Sequence, residues 1–195
     1  MRAQLTREAV LEYYLRELVP ALAASVAVDD HFPDAILNEL RNTLTHLARS
    51  VEKETAQASL EELEKAKSHL KRATLDLYKD VIAKVLLTLN EEAELMASEG
   101  MLPSDLQQRL SEIRDHRIDL SVREAENPSP EVQEQYEQLF IKVREVWLNY
   151  KKQYGEDSFI VRHKIRQKKL WRERAVTFFV GIAATLFGAY LLSFF

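Results

Sequence analysis

ASLEELEKAKSHLKRATLDLYKDVIAKVLLTLNEEAELMASEG, residues 58–100, is the stretch that decides the fold. Leu63, Ala66, Leu70, Leu77, Val81 and Val85 recur at intervals of three, four and seven, which a 3.6-residue period places on one face. No proline interrupts the run, and no period-two alternation competes with it. The spacing predicts a long helix over about 58–99, with Gly100 where the left-handed residue beyond a helix C-terminus belongs. One apolar stripe on so long a helix needs other helices to cover it.

Upstream, Thr6 is placed to cap a first helix and Leu5 to staple against Val10, ahead of a stripe of Val10, Leu11, Tyr14, Leu15 and Leu18. Pro20 is expected to end or kink that helix. After an Ala/Val stretch (21–28), Asp29, Asp30 and Pro33 announce a second helix whose buried face reads as Ile36, Leu37, Leu40, Leu44, Leu47 and Val51. Downstream, Ser104 with Gln107 reads as a capping box for a more polar helix to about Glu124, and NPSP (127–130) is the clearest break. Val132, Tyr136, Leu139, Val143, Val146 and Tyr150 then approach the heptad spacing of a coiled coil, broadened by Phe140 and Trp147. A seam this wide favours a last bundle helix over a self-associating stalk. Four Gly, five Pro and the absence of alternating β-branched runs leave little room for sheet. The expected fold class is all-α: a cytosolic bundle of about five helices over 1–155.

Beyond Gly155 the composition changes. Residues 162–174 (RHKIRQKKLWRER) hold seven Lys or Arg, namely Arg162, Lys164, Arg166, Lys168, Lys169, Arg172 and Arg174, against one Glu. The formal charge of −4 thus splits into +6 over 162–174 and −10 over 1–161. Residues 175–195 (AVTFFVGIAATLFGAYLLSFF) carry no charge. A helix of 21 residues is about 31 Å long and matches a hydrocarbon core of about 30 Å. The expected organisation is 1–155 as helical body, 156–174 as basic juxtamembrane helix with Trp171 at the interface, and 175–195 as transmembrane helix. The basic flank keeps the body on the cytoplasmic side of a cell inner membrane, with the N-terminus cytoplasmic and a single pass. The opening MRAQLTREAVLEYY lacks the apolar core of a signal peptide, so insertion is expected to follow synthesis of the body, as in tail-anchored proteins.

Anionic lipid headgroups are the expected partner of the basic stretch, and an acidic body argues against DNA. Within the apolar segment Gly181, Ala184, Thr185, Gly188 and Ala189 form a ridge of small residues of the kind that lets transmembrane helices approach, so a homo-oligomer is expected. Without cysteine the chain has neither disulfides nor thiolate chemistry, and its five His lack metal-ligand spacing. No cofactor motif is present. The partner or small ligand that such a module would sense is not encoded in any motif.

Two polar stripes remain. Glu39, Asn42 and His46 share a flank of the second helix; His69, Arg72 and Asp76 fall at i, i+3 and i+7 on the third. If the helices form a hairpin, these stripes either lock its register through hydrogen bonds and ion pairs, or bind a ligand or substrate, or face solvent separately. Arg41-Asn42-Thr43-Leu44-Thr45-His46 also resembles the Arg-x4–6-His signature of the HEPN superfamily, small helical bundles that include metal-independent ribonucleases. A second such spacing runs from Arg109 to His116. The resemblance implies that Arg41 would hold the scissile phosphate, Asn42 would assist and His46 would transfer a proton. Around the helix, however, Arg41 and His46 are about 140° apart. The reading that follows is a membrane-tethered sensing or interaction module, not an enzyme, that clusters at the membrane. In build it resembles bacterial effectors of phage defence. A membrane-bound HEPN-type ribonuclease is the alternative.

Overall fold

Thr6 opens the first helix, its Oγ1 accepting the Ala9 N–H at 3.2 Å, and α1 follows over Arg7–Tyr13. The computed structural model describes residues 5–127, 129–155, 162–163, 166–172 and 174. Pro20 does not end the helix. Tyr14–Leu18 widens into a π turn whose last bond runs from the Val19 N–H to the Tyr14 carbonyl, and α2, Val19–Asp29, continues with Pro20 in its first turn. A proline ring collides with the carbonyl four residues back and offers no N–H. Opening the ladder just before it lets the rod run on. Asp30 then takes the left-handed conformation (φ 50°), its N–H bonded to the Val26 carbonyl at 2.8 Å.

The return helix α3 spans Asp34–Glu52, and α4 spans Ala56–Ser98. At 43 residues α4 is about 64 Å long. It stops where the glycine predicts: Gly100 has φ 68°, the Met101 N–H reaches the Met96 carbonyl at 2.9 Å and the Gly100 N–H reaches Ala97 at 3.0 Å, a Schellman cap. The fifth helix, α5, is Ser104–Glu126, and its capping residue is Pro103, not Ser104. The expected capping box is absent because Ser104 already lies inside the first turn. Pro130 starts α6, Pro130–Tyr154, at the position where a missing N–H costs nothing. Every regular element among the described residues is helical.

Contacts divide the chain into two compact units, one built from Met1–Asn90 and Pro103–Leu148, the other from Glu91–Leu102 and Asn149–Phe195. In the first, the stripe read from residues 63–85 is buried throughout, together with Val10 and Leu18 of the first rod, Leu110 and Ile113 of α5, and Tyr136, Leu139 and Val143 of α6. Polar pairs fix the directions. Ser25 Oγ donates to Asp80 at 3.0 Å, Arg114 donates to Asn90 at 2.7 Å, and Lys79 pairs with Glu124. With Lys67 Nζ 6.0 Å from the centre of the Tyr13 ring, the Ser25 bond runs the first rod parallel to α4, and the other two pairs run α5 antiparallel to it. The rings of Tyr78 and Phe140 stack with centroids 4.6 Å apart. In the second unit the Tyr150 hydroxyl donates to the fully buried Glu92 at 2.9 Å, and His163 lies 3.4 Å from Glu99.

One expectation is reversed. Leu37, Leu44 and Val51 of α3 are 52, 66 and 67% exposed, and Leu40 and Leu47 are only half-buried. The residues α3 buries are Ile36, Thr43 and Ser50. The helix turns its polar flank inward, because α4 offers that flank a matched set of partners.

Among the described residues no helix is long and apolar enough to cross a membrane. The expected span, 175–195, with Gly181, Ala184, Thr185, Gly188 and Ala189, lies outside the described residues, as does Lys164. Arg162, Arg166, Lys168, Lys169, Trp171, Arg172 and Arg174 are helical and exposed.

Candidate functional site

The α3–α4 hairpin is antiparallel, and its polar rungs step in opposite directions along the two helices: Glu39 with His69, Thr43 with Ala66, His46 with Glu62, Ser50 with Ser59. Intervals of three and four on each helix keep all rungs on one seam. At its far end the seam is closed by α1, where the Arg7 guanidinium donates to the Ser50 carbonyl at 2.7 Å and to Ser50 Oγ at 3.1 Å. Thr43 Oγ1 donates chiefly to the Glu39 carbonyl at 2.8 Å and stands 3.5 Å from the Ala66 carbonyl across the seam, and the Ser59 hydroxyl donates to the Ser50 carbonyl at 2.8 Å.

At the centre stand two imidazoles and two carboxylates. His46 Nδ1 lies 2.7 Å from Glu62 Oε2, and His69 Nδ1 lies 2.6 Å from Glu39 Oε2. The two rings stack with centroids 5.3 Å apart and planes 12° from parallel. Each carboxylate spends its other oxygen on a cation: Glu62 Oε1 on Lys65 at 2.8 Å, Glu39 Oε1 on Arg72 at 3.8 Å. An ionised carboxylate can only accept, so the proton at each short contact sits on Nδ1. The His46 bond, then that of Lys65, holds the Glu62 carboxyl down at about 2, well below its ordinary value of 4.5. The result is a Glu–His pair repeated twice in opposite senses.

Of the residues singled out in the sequence, Glu39, His46, His69 and Arg72 meet here. Asn42 is half-buried and outside this hydrogen-bonded set; Asp76 is exposed one turn beyond Arg72. Arg41 is exposed, and its carbonyl accepts from Thr45 Oγ1 at 2.9 Å. Glu62 and Lys65 are outside the two polar stripes singled out in the sequence, although Glu62, Lys65, His69, Arg72 and Asp76 repeat at three and four and so mark one polar face of α4. That repeat was the available signal. Arg109 and His116, seven apart on α5, line a cavity of about 200 Å³ with Glu112, Lys142 and Glu145. Between α4 and α5 a groove of about 720 Å³ has Leu86, Leu87, Ile118 and Val122 in its walls and Arg114 and Arg117 beside them.

A Glu-oriented imidazole is the arrangement of a general base, but here both histidines are also stacked and clamped between two helices. Chemically, the seam joins α3 to α4 with each buried polar group answered by another. Among the described residues no group of three or more His, Asp or Glu is placed to hold a metal ion. No family model matches the chain, and no curated protein or solved structure matches it either.

Proposed function

We propose that the protein is a membrane-tethered helical interaction module, whose folded body is held at the cytoplasmic face of an inner membrane and acts by clustering there. The observation that carries this reading is the uncharged stretch 175–195 directly after a segment of formal charge +6. A helix of that length is an anchor that ions cannot screen, whereas a basic patch alone is released by salt. The internal pairing of the Glu39–His69 and His46–Glu62 seam supports an architectural use of these residues. The body senses a protein or small ligand, in the manner of effectors of bacterial defence, and anionic headgroups meet the basic helix.

Extraction of native membranes separates the possibilities. Full-length protein stays in the pellet through high salt and alkaline carbonate; recovery in the carbonate supernatant would remove the anchor from the account. A HEPN-type ribonuclease is the outcome that would displace the module. It predicts RNA cleavage by the purified full-length chain, lost in Arg41→Ala and His46→Ala at unchanged melting temperature. The module predicts no cleavage and a lower melting temperature in His46→Ala. A cleaving enzyme silenced only by Arg109→Ala or His116→Ala would place the same chemistry in the α5–α6 cavity and equally overturn the module.

A further inference from the structure

Where opposite charges face one another between α3 and α4, or between α4 and α5, they are joined: Glu39 with His69, His46 with Glu62, Lys79 with Glu124. The α5–α6 hairpin is built differently. It is closed toward its turn, where Ser121 Oγ stands 3.3 Å from the Tyr136 hydroxyl. The antiparallel register of that contact brings Arg109 within one helical turn of Glu145, and Glu112 within one turn of Lys142. Opposite charges so placed commonly bridge the seam between two helices. Here they stay apart. Among the described residues the side chains of Arg109, Lys142 and Glu145 take part in no hydrogen bond or ion pair, and Glu112 accepts only from Gln108 on its own helix, at 2.8 Å. Between them lies the cavity of about 200 Å³, with the four charges on its rim and Ile113, Leu139 and Val146 as its floor. The floor residues are 5, 0 and 7% exposed, so the bottom of the cavity is the core itself.

We propose that this cavity binds a free α-amino acid with an apolar side chain. The inference rests on the reading of the body as a sensor and names the class of small ligand it takes. Volume sets the scale. Drug-sized molecules, and nucleotides with them, occupy pockets of roughly 300–1,000 Å³, so a cavity of 200 Å³ takes something smaller. Charge sets the head group. A purely anionic ligand would face Glu112 and Glu145, and a purely cationic one would face Arg109 and Lys142. A zwitterion answers both signs, its carboxylate on the guanidinium and the lysine ammonium, its own ammonium on the two glutamates.

The floor sets the side chain. Three aliphatic residues offer no hydrogen-bond partner, so a polar side chain would lose its water there without compensation, whereas an apolar one gains by burial. The four rim charges are exposed and orient the ligand more than they hold it, and His116, half-buried, lines the end nearest the hairpin turn. A ligand seated in this way joins α5 to α6 where their own side chains leave them unjoined. Its binding is thereby linked to the closure of the hairpin.

The test is equilibrium dialysis of L-leucine and L-phenylalanine against full-length protein in detergent. Saturable binding of at least one of them, one molecule per chain, is expected. By competition 4-methylpentanoate, 3-methylbutylamine and glycine are each expected to bind at least about 10-fold more weakly, because each lacks one of the three groups that the cavity answers. Arg109→Ala/Lys142→Ala is expected to weaken the amino acid at least about 10-fold without weakening 3-methylbutylamine. Glu112→Gln/Glu145→Gln is expected to weaken it as much without weakening 4-methylpentanoate, and both variants keep the helical circular dichroism of the wild type. No saturable binding of either amino acid at about 1 mM, binding that survives both double substitutions, or 4-methylpentanoate bound as tightly as leucine would each overturn the inference. A chain that carbonate washes from the membrane and that still binds the amino acid would discard the anchor and keep the site; one that stays in the membrane and binds neither would discard the site and keep the anchor.

Discussion

Glu62 concentrates the chemistry of the seam at a single carboxylate. It is 6% exposed, and its two oxygens are divided between His46 and Lys65. Its carboxyl titrates at about 2 in the fold against an ordinary 4.5, so the unfolded chain takes up the proton first as pH falls. A depressed carboxylate stabilises the fold fully above the ordinary value, and that contribution fades as pH falls from about 4.5 toward 2. Urea midpoints measured across that window are expected to fall more steeply for wild type than for Glu62→Gln; parallel curves would mean that Glu62 is not held by His46. Ser25 makes a simpler case. It is fully buried, with Asp80 as acceptor, so Ser25→Ala is expected to cost about 1 kcal/mol in chemical denaturation, the net value of one buried hydrogen bond.

Among the elements, α4 was legible from end to end and α3 was not, for a physical reason. On α4 the apolar row at 63, 66, 70, 77, 81 and 85 is also the row that neighbouring helices cover, so periodicity alone identifies the inner face. On α3 two rows have helical spacing: the leucines at 37, 40, 44 and 47, and the polar set Glu39, Thr43, His46 and Ser50. A rule that buries the apolar row chooses wrongly here, because burial of the polar row is decided by partners 9 to 30 residues away on α4. Four of the six residues expected in the seam meet there, and Glu62, the partner of His46, joins them from outside the expected set. Caps show the same contrast. Gly100 was legible because a left-handed φ leaves one residue type favoured, whereas the capping box at Ser104 misplaced the helix start by one residue. Gly100→Ala meets nothing within 4 Å, so its expected cost of about 1 kcal/mol is backbone strain alone, and Gly100→Asn should recover part of it. A double-mutant cycle of Glu39→Ala and His69→Ala is expected to return a coupling of about 1 kcal/mol. Strict additivity would dissolve the seam as a unit.

Across the whole molecule, charge is distributed by position: −10 over 1–161, +6 over 162–174, none over 175–195. In the proposed tether, a basic segment drawn to anionic headgroups stands beside an acidic body that the same surface would repel, so the charge pattern would hold the body away from the headgroups. Folded units, basic flank and uncharged stretch together define the proposed orientation. The absence of native cysteine makes that orientation measurable in intact spheroplasts with a membrane-impermeant maleimide. Ser193→Cys, at the far end of the uncharged stretch, is expected to be labelled from outside, and Gln167→Cys, within the basic flank, only after permeabilisation. Labelling of Gln167→Cys from outside in intact cells, or protection of both positions until the membrane is opened, would contradict a body tethered on the cytoplasmic face by residues 175–195.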